Sequence, residues 1–235
     1  MKIKFKDLII FENDEYLIIN KPPMISSLED RNDFYNIQKL AQEHEAGLML
    51  CHRLDKETSG CLLLAKNEDA YRNASIQFEK RRVLKVYHAV VEGLQEWEAK
   101  TVDLPLQVLS NGKVVTSSKG KASKTTFNSL KLYKKHTLVE CLPESGRMHQ
   151  IRVHLAFLNA PIVNDETYGG SFLYLSQVKR NFNLKRDTEE QPLIKRFALH
   201  ANSLAFKDSA GKEIKVSAPY PKDMRVLVKQ LENNR

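Results

Sequence analysis

The chain is 235 residues long and basic, with 37 Lys and Arg against 29 Asp and Glu and a net charge of +8. That length suits one large domain or two small ones with a real core, and the charge favours a polyanionic partner. Three cysteines, an odd number in a chain too large to need staples, read as reduced thiols of a cytoplasmic protein. No apolar run reaches membrane-spanning length, and the opening stretch is too short and too charged for a signal peptide.

Leu8–Phe11 and Tyr16–Ile19 are short apolar runs around a polar Glu12–Glu15 turn, which predicts a strand pair. Asn20–Lys21–Pro22–Pro23 stops the second strand, because neither proline has an N–H for a ladder. Asp33 is the predicted N-cap of a helix through Ile37, Leu40 and Ala41 that ends near Gly47. Leu48–Leu50 then leads into a polar segment, His52–Gly60, which opens onto the apolar run Cys61–Ala65. The run has strand length and is predicted to be buried, a rigid anchor for the polar residues before it. Asp55 is the first candidate for a reactive carboxylate: Arg53 and Lys56 favour its ionised form, and Thr58–Ser59–Gly60 offers a tight turn beside it. The residues alone fit a salt-bridged surface loop equally well.

Asn67 is the predicted N-cap of a second helix, with Glu68 and Asp69 in its first turn and Ala70, Ala74 and Phe78 as its core stripe before Lys80–Arg82. Lys85–Gly93 alternates like a strand, in which burial habit alone makes Tyr87 a core residue. Between Asp103 and Glu140 there is no carboxylate but there are seven lysines, from Lys113 to Lys135. This run is either a phosphate-contacting face or a solvated loop. Gly112 to Gly120–Lys121 is too widely spaced for a phosphate loop, and Ala122 stands where a hydroxyl is required. Ile151, Leu155 and Leu158 predict a helix that ends before Pro161. His149 and His154 are five apart and lack the spacing of a zinc helix, so no metal is expected. Phe172–Arg196 is charged and weakly periodic, an insertion; Leu199–Phe206 and Glu213–Val216 read as strands, and Met224, Leu227, Val228 and Leu231 as a closing helix stripe.

His52–Lys66 resembles, almost letter for letter, the active-site motif of the RluA-type pseudouridine synthases. Three further blocks resemble that family in the same order: Lys85–Gly93 its K-x-Y-x-A-x-V-x-G strand, Gly146–His154 its G-R-x-H-Q-I-R-x-H helix, and Leu199–Phe206 its L-H-A-x-x-L-x-F strand. Ser145 stands where a threonine is usual, Asn164 in Pro161–Gly170 where a glycine is usual, and Pro23–Met24 where a small residue and glycine usually follow the first proline.

The resemblance implies a mixed α/β (α+β) fold, a bent and largely antiparallel central sheet with flanking helices. It implies one catalytic domain over 1–235, two subdomains flanking a cleft, and no separate N-terminal RNA-binding domain. It implies an isomerase that converts a uridine of ribosomal or transfer RNA to pseudouridine, monomeric, without cofactor or membrane. Asp55 is then the catalytic carboxylate, acting as nucleophile at C1′ or as base at C2′. Arg152 is its counter-charge, with Arg147 as second candidate, and Tyr87 stacks on the uracil and takes part in removing the C5 proton. His52 and Arg53 face the RNA, Arg53 filling the place of the extruded base. Leu199 walls the base, and Lys21 with the lysine run holds phosphates. The alternatives are a catalytically silent RNA-binding or folding module of the same fold, and a hydrolase using Asp55 and His149, for which no nucleophile arrangement is recognisable.

Overall fold

A computed structural model describes residues 3–29, 35–184 and 187–234. After a 3-10 turn at Phe5–Leu8, strands β1 (Ile9–Glu12) and β2 (Tyr16–Lys21) form the predicted pair, with Asn13 accepting from the N–H groups of Glu15 and Tyr16 in the turn. Helix α1 (Ile37–His44) follows, then β3 (Met49–Leu50), β4 (Ser59–Ala65), α2 (Glu68–Glu79) and β5 (Leu84–Glu92). β6 (Lys100–Asp103) precedes the lysine-rich stretch, which contains β7 (Leu106–Val108), β8 (Val114–Thr116) and β9 (Lys124–Leu132) and leads into β10 (His136–Pro143). The chain closes through α3 (Gln150–Phe157), the short α4 (Leu175–Val178), β11 (Leu199–Lys207), β12 (Glu213–Ser217) and α5 (Lys222–Asn233).

The N-cap of α1 is Asn36, whose side chain accepts from Lys39 N–H; Asp33, expected to cap it, lies outside the described residues. Asn67 caps α2 as its sequence predicts, accepting from Ala70 N–H with two acids in the first turn. Among its described residues the insertion carries only α4, yet it contributes Leu173, Val178 and Ile194 to the core.

The protein is α+β, its strands largely antiparallel with helices packed on them, and it forms two compact units. The first comprises Met1–Val86 and His200–Tyr220. Its strands run in the order β1-β2-β4-β11-β12, with β3 also on β4, and all these pairings are antiparallel except β4 with β11. Every residue of β4 is buried, which is why it reads as an unbroken apolar run rather than an alternating one. Tyr16, Ile18, Cys61, Leu63 and Ala65 pack against Ala70 and Ala74 of α2 and against Leu204, Phe206 and Ile214.

The second unit comprises Tyr87–Leu199 and Pro221–Arg235. Its strands run β5-β10-β9-β6, all antiparallel, with the β7–β8 hairpin separate. Ala89, Val90 and Val91 are buried in succession, so β5 is covered on both faces at its C-terminal end instead of alternating. Leu106 and Val114 of the hairpin are seated on Val153 of α3 and on Tyr168.

Candidate active site

In the first unit, the segment between β3 and β4 is held at nearly every residue. His52 is half-buried; its Nε2 accepts from Leu63 N–H at 3.1 Å, and its ring lies 4.9 Å from that of Phe78. Burial, with Lys85 as the secondary cause, pushes its pKa down to about 3, so the imidazole is neutral. Arg53 is exposed. Leu54 is clamped from both backbone groups by one buried hydroxyl: its N–H donates to Ser27 Oγ at 3.0 Å, and Ser27 Oγ donates to its carbonyl at 2.8 Å. Asp55 is half-buried, and its carbonyl accepts from Thr58 N–H at 3.0 Å.

Lys21 is not a surface cation. It is fully buried, and its Nζ donates to the carbonyls of Pro22, Ile25 and Lys56 at 3.0, 2.8 and 3.1 Å. The expectation that it holds an RNA phosphate is therefore corrected: the ammonium bonds three backbone carbonyls, one of them the residue after Asp55. The segment's far end is fastened by a buried relay, in which Ser59 Oγ meets His200 Nδ1 at 2.9 Å and His200 Nε2 meets the Ala218 carbonyl at 3.0 Å. The carbonyl can only accept, so Nε2 carries the proton and Nδ1 accepts from Ser59. Gly60, at φ +115°, completes the junction, since a Cβ there would lie 2.1 Å from the Ala201 carbonyl oxygen.

In the second unit, Tyr87 lies half-buried on β5 opposite Cys141 of β10. Arg152 projects from α3, 6 % exposed, and forms a bidentate pair with Asp165 at 2.6 Å through both Nε and Nη2. Its guanidinium also lies 4.9 Å from the Tyr168 ring centroid and 4.2 Å from that of Phe197. An arginine in this setting is fixed in plane and direction. Leu199 is buried, and its carbonyl accepts from Arg196 Nη1. Arg147 is exposed, with its Nε directed to the Ala122 carbonyl at 3.4 Å.

Helix α3 is set by side chains rather than by a conventional cap. His149 precedes it in the left-handed region, φ 55°. Gln150 Oε1 accepts from Ser145 Oγ and from Arg147 N–H, while its Nε2 donates to the Lys124 carbonyl and to Thr125 Oγ1. Thr125 in turn meets His154 Nδ1 at 2.9 Å, and His154 Nε2 faces the Leu104 carbonyl at 3.3 Å. His149 Nδ1 instead meets Tyr168 Oη at 2.8 Å. The two histidines therefore serve separate networks. Ser145 keeps the hydroxyl of the usual threonine in use, and Asn164 adopts φ 65° where glycine is usual.

Asp165, Gln150 and Ser27 carry no role in the sequence motifs, yet they fix the residues that do. A signal for Asp165 exists: Arg152 sits among Ile151, Val153 and Leu155 and needs a carboxylate when buried, and Pro161–Gly170 contains few. Burial pushes the thiols of Cys51 and Cys61 up to about 12 and raises that of Cys141 as well, so none of them supplies a thiolate. The first unit thus holds the backbone on both sides of Asp55, and the second holds a fixed arginine–aspartate pair and, on a strand, Tyr87.

A family model for RNA pseudouridylate synthases matches residues 15–157. The chain belongs to the RluA-type pseudouridine synthase family. Ribosomal large subunit pseudouridine synthase C of Buchnera aphidicola subsp. Baizongia pistaciae is 35% identical over 239 residues, covering 98% of this chain and 72% of that protein. The protein of the same name from Escherichia coli K12 is 35% identical over 237 residues, covering 97% and 71%. Among solved structures, human RNA pseudouridylate synthase domain containing 4 superposes with a TM-score of 0.74 at 25% identity, covering 97% of this chain and 95% of that one. As a pseudouridine synthase the protein is an RNA isomerase. No described helix is long and apolar enough to cross a membrane.

Proposed function

We propose that the protein converts one uridine of a structured RNA to pseudouridine with Asp55 as the catalytic carboxylate. Ribosomal RNA is the favoured substrate, because the relatives at 35% identity are named for the large ribosomal subunit; transfer RNA is the second. The reaction breaks N1–C1′, turns the base, forms C5–C1′ and moves the C5 proton to N1. The product has the atoms and oxidation state of the substrate, so no redox group and no energy input enter the balance.

Asp55 attacks C1′ or removes the C2′ proton, and either route needs a carboxylate that does not wander. The observation that carries this reading is the mounting of Asp55, with Leu54 clamped by Ser27 on one side and Lys56 held by Lys21 on the other. Arg152 supplies positive charge toward the reacting ribose, with Asp165 setting its direction. Tyr87 stacks on the uracil, and Leu199 gives an apolar wall. Arg53, exposed on the same segment, fills the vacated place in the RNA stack. His52 belongs to this group through the backbone it orients, and Arg147 contacts phosphate. The protein acts as a cytoplasmic monomer.

Ribosomal RNA transcripts treated with wild type and Asp55→Asn test the assignment. Pseudouridine formation is expected to fall by at least about 10³-fold in the variant, while RNA affinity stays within about twofold. Equal yields from both proteins would remove Asp55 from the chemistry. A wild type that binds RNA but forms no pseudouridine would favour the silent binding module.

A further inference from the structure

The β7–β8 hairpin and the Gly146–Met148 segment border a groove of about 480 Å³ within the second unit. We infer that this groove holds an unstacked nucleotide of the RNA other than the target uridine, its base on Val108 and Met148 and its phosphate on Lys119, Lys121 and Arg147. The inference rests on the isomerase reading only in taking the strand to be substrate RNA.

Its volume falls in the range of roughly 300–1,000 Å³ typical of pockets for small organic ligands. The floor is apolar. Leu106 and Val114 are buried there, whereas Val108 and Met148 remain 55 % and 36 % exposed. Val108 of the hairpin and Met148 of the facing segment are left open to solvent although the hairpin's own packing is already satisfied by Leu106, Val114, Val153 and Tyr168. The rim is cationic. Lys119, Lys121 and Arg147 line it and no carboxylate does, and the two lysines belong to a stretch without Asp or Glu from Leu104 to Val139. An apolar floor with an all-cationic rim complements a flat base attached to a phosphate better than it complements a bare anion or an apolar peptide.

The rim is also built rather than loose. Lys121 N–H donates to the Leu106 carbonyl at 2.8 Å, Leu106 N–H donates to the Lys121 carbonyl at 3.0 Å, and Gly120 N–H donates to the Ser117 carbonyl at 2.8 Å. Gly120 is needed for this closeness, because a Cβ there would lie 2.4 Å from the Leu106 carbonyl carbon. The hairpin is tied to the other wall by Tyr168, whose Oη accepts from Val114 N–H at 3.1 Å and meets His149 Nδ1 at 2.8 Å. The two lysines therefore flank a fixed point. Met148 lies in the segment that enters α3, at the open position of the G-R-x-H motif, so its identity can tune which base is accepted without altering the residues on either side.

The direct test follows the Met148 methyl group by NMR in full-length protein labelled at methionine methyls, with the signal assigned by Met148→Leu. Three probes are titrated: a single-stranded uridine hexamer, the same strand with abasic sugars, and polyphosphate. The hexamer is expected to move the Met148 signal saturably, and the other two are expected not to. Lys119→Ala with Lys121→Ala should weaken hexamer affinity at least tenfold. Val108→Glu, a change at an exposed site checked for folding by circular dichroism, should abolish the shift by placing a carboxylate on the floor. An equal shift with abasic strand or polyphosphate would overturn the inference in favour of a simple anion site, and an unmoved signal or an unaffected Val108→Glu protein would overturn it outright. Pseudouridine formation is assayed with the same protein preparation on a ribosomal RNA transcript. Activity with a silent Met148 signal rejects the groove and leaves the isomerase standing, whereas a moving signal without activity rejects the isomerase and leaves the groove.

Discussion

A lysine at the end of an apolar strand is ordinarily a solvent-facing charge, and Lys21 is the opposite. Nothing in its neighbours' spacing foretells this, because three backbone carbonyls from Pro22, Ile25 and Lys56 have no side-chain signature. Its position argues for a structural role in holding the Asp55 segment, and a specific outcome follows for Lys21→Met. Turnover should drop about 100-fold through misplacement of the carboxylate, while the slope of log affinity against log salt stays unchanged. A slope lower by about one would restore Lys21 as a phosphate ligand. Met24 is the second residue whose conformation its type does not announce. It adopts φ 67° and is 55 % exposed, at a turn where relatives of the family usually carry a glycine. Left-handed backbone costs an L-residue about 1–2 kcal/mol, offset in part by the greater freedom of glycine in the unfolded chain. Met24→Gly is therefore expected to stabilise the protein by about 0.5–1 kcal/mol, measured as a raised urea midpoint at constant slope. A lowered midpoint would mean that Met24 makes packing contacts worth more than its strain.

At the scale of elements, what was legible depended on whether an element's stability is written in its own periodicity. β4, α2, α3, β11 and α5 carry long apolar runs or stripes and lie where those patterns put them. β6, β7 and β8 are three or four residues long, too short to show a period, so the sequence there reads as loop; the hairpin exists because Leu106 and Val114 dock on α3. The Asp55, Tyr87 and Arg152 motifs were equally readable, and Asp165 left a signal in the buried Arg152, but Gln150 and Ser27 did not, since they act through partners that only folding selects.

His52 joins three elements at once, the segment it belongs to, β4 through Leu63 and α2 through Phe78. Its pH behaviour is a property of that junction. Burial lowers its pKa from the ordinary 6.5 to about 3, so between those values the unfolded chain binds a proton that the folded one does not. Stability is then fully present above about pH 6.5 and declines as the pH falls toward 3. Urea unfolding at pH 7.5 and pH 5 should show this loss, and His52→Gln, less stable at pH 7.5, should show a smaller difference between the two. Identical pH dependence in variant and wild type would assign the effect to another group.

At the scale of the molecule, both units are discontinuous in sequence. β11 and β12 bring Leu204, Phe206 and Ile214 to the core beneath β4, and they carry the His200 partner of Ser59. A chain truncated after Leu199 should therefore lose cooperative unfolding in its first unit as well as its C-terminal helix, seen as a loss of a sharp thermal transition. A truncated protein with a sharp transition would show that β1–β4 and α2 fold without those strands.

The same discontinuity has a consequence in time. During synthesis, β4 emerges long before the strand that lies parallel to it, and at roughly 5–20 residues per second the interval is on the order of seven to thirty seconds. Throughout it, Ser59 and Gly60 lack the His200 and Ala201 backbone that they pair with in the folded protein. The nascent protein thus cannot fasten the far end of the Asp55 segment until His200 and Ala201 have been made, which makes synthesis itself a timer on the completion of that segment.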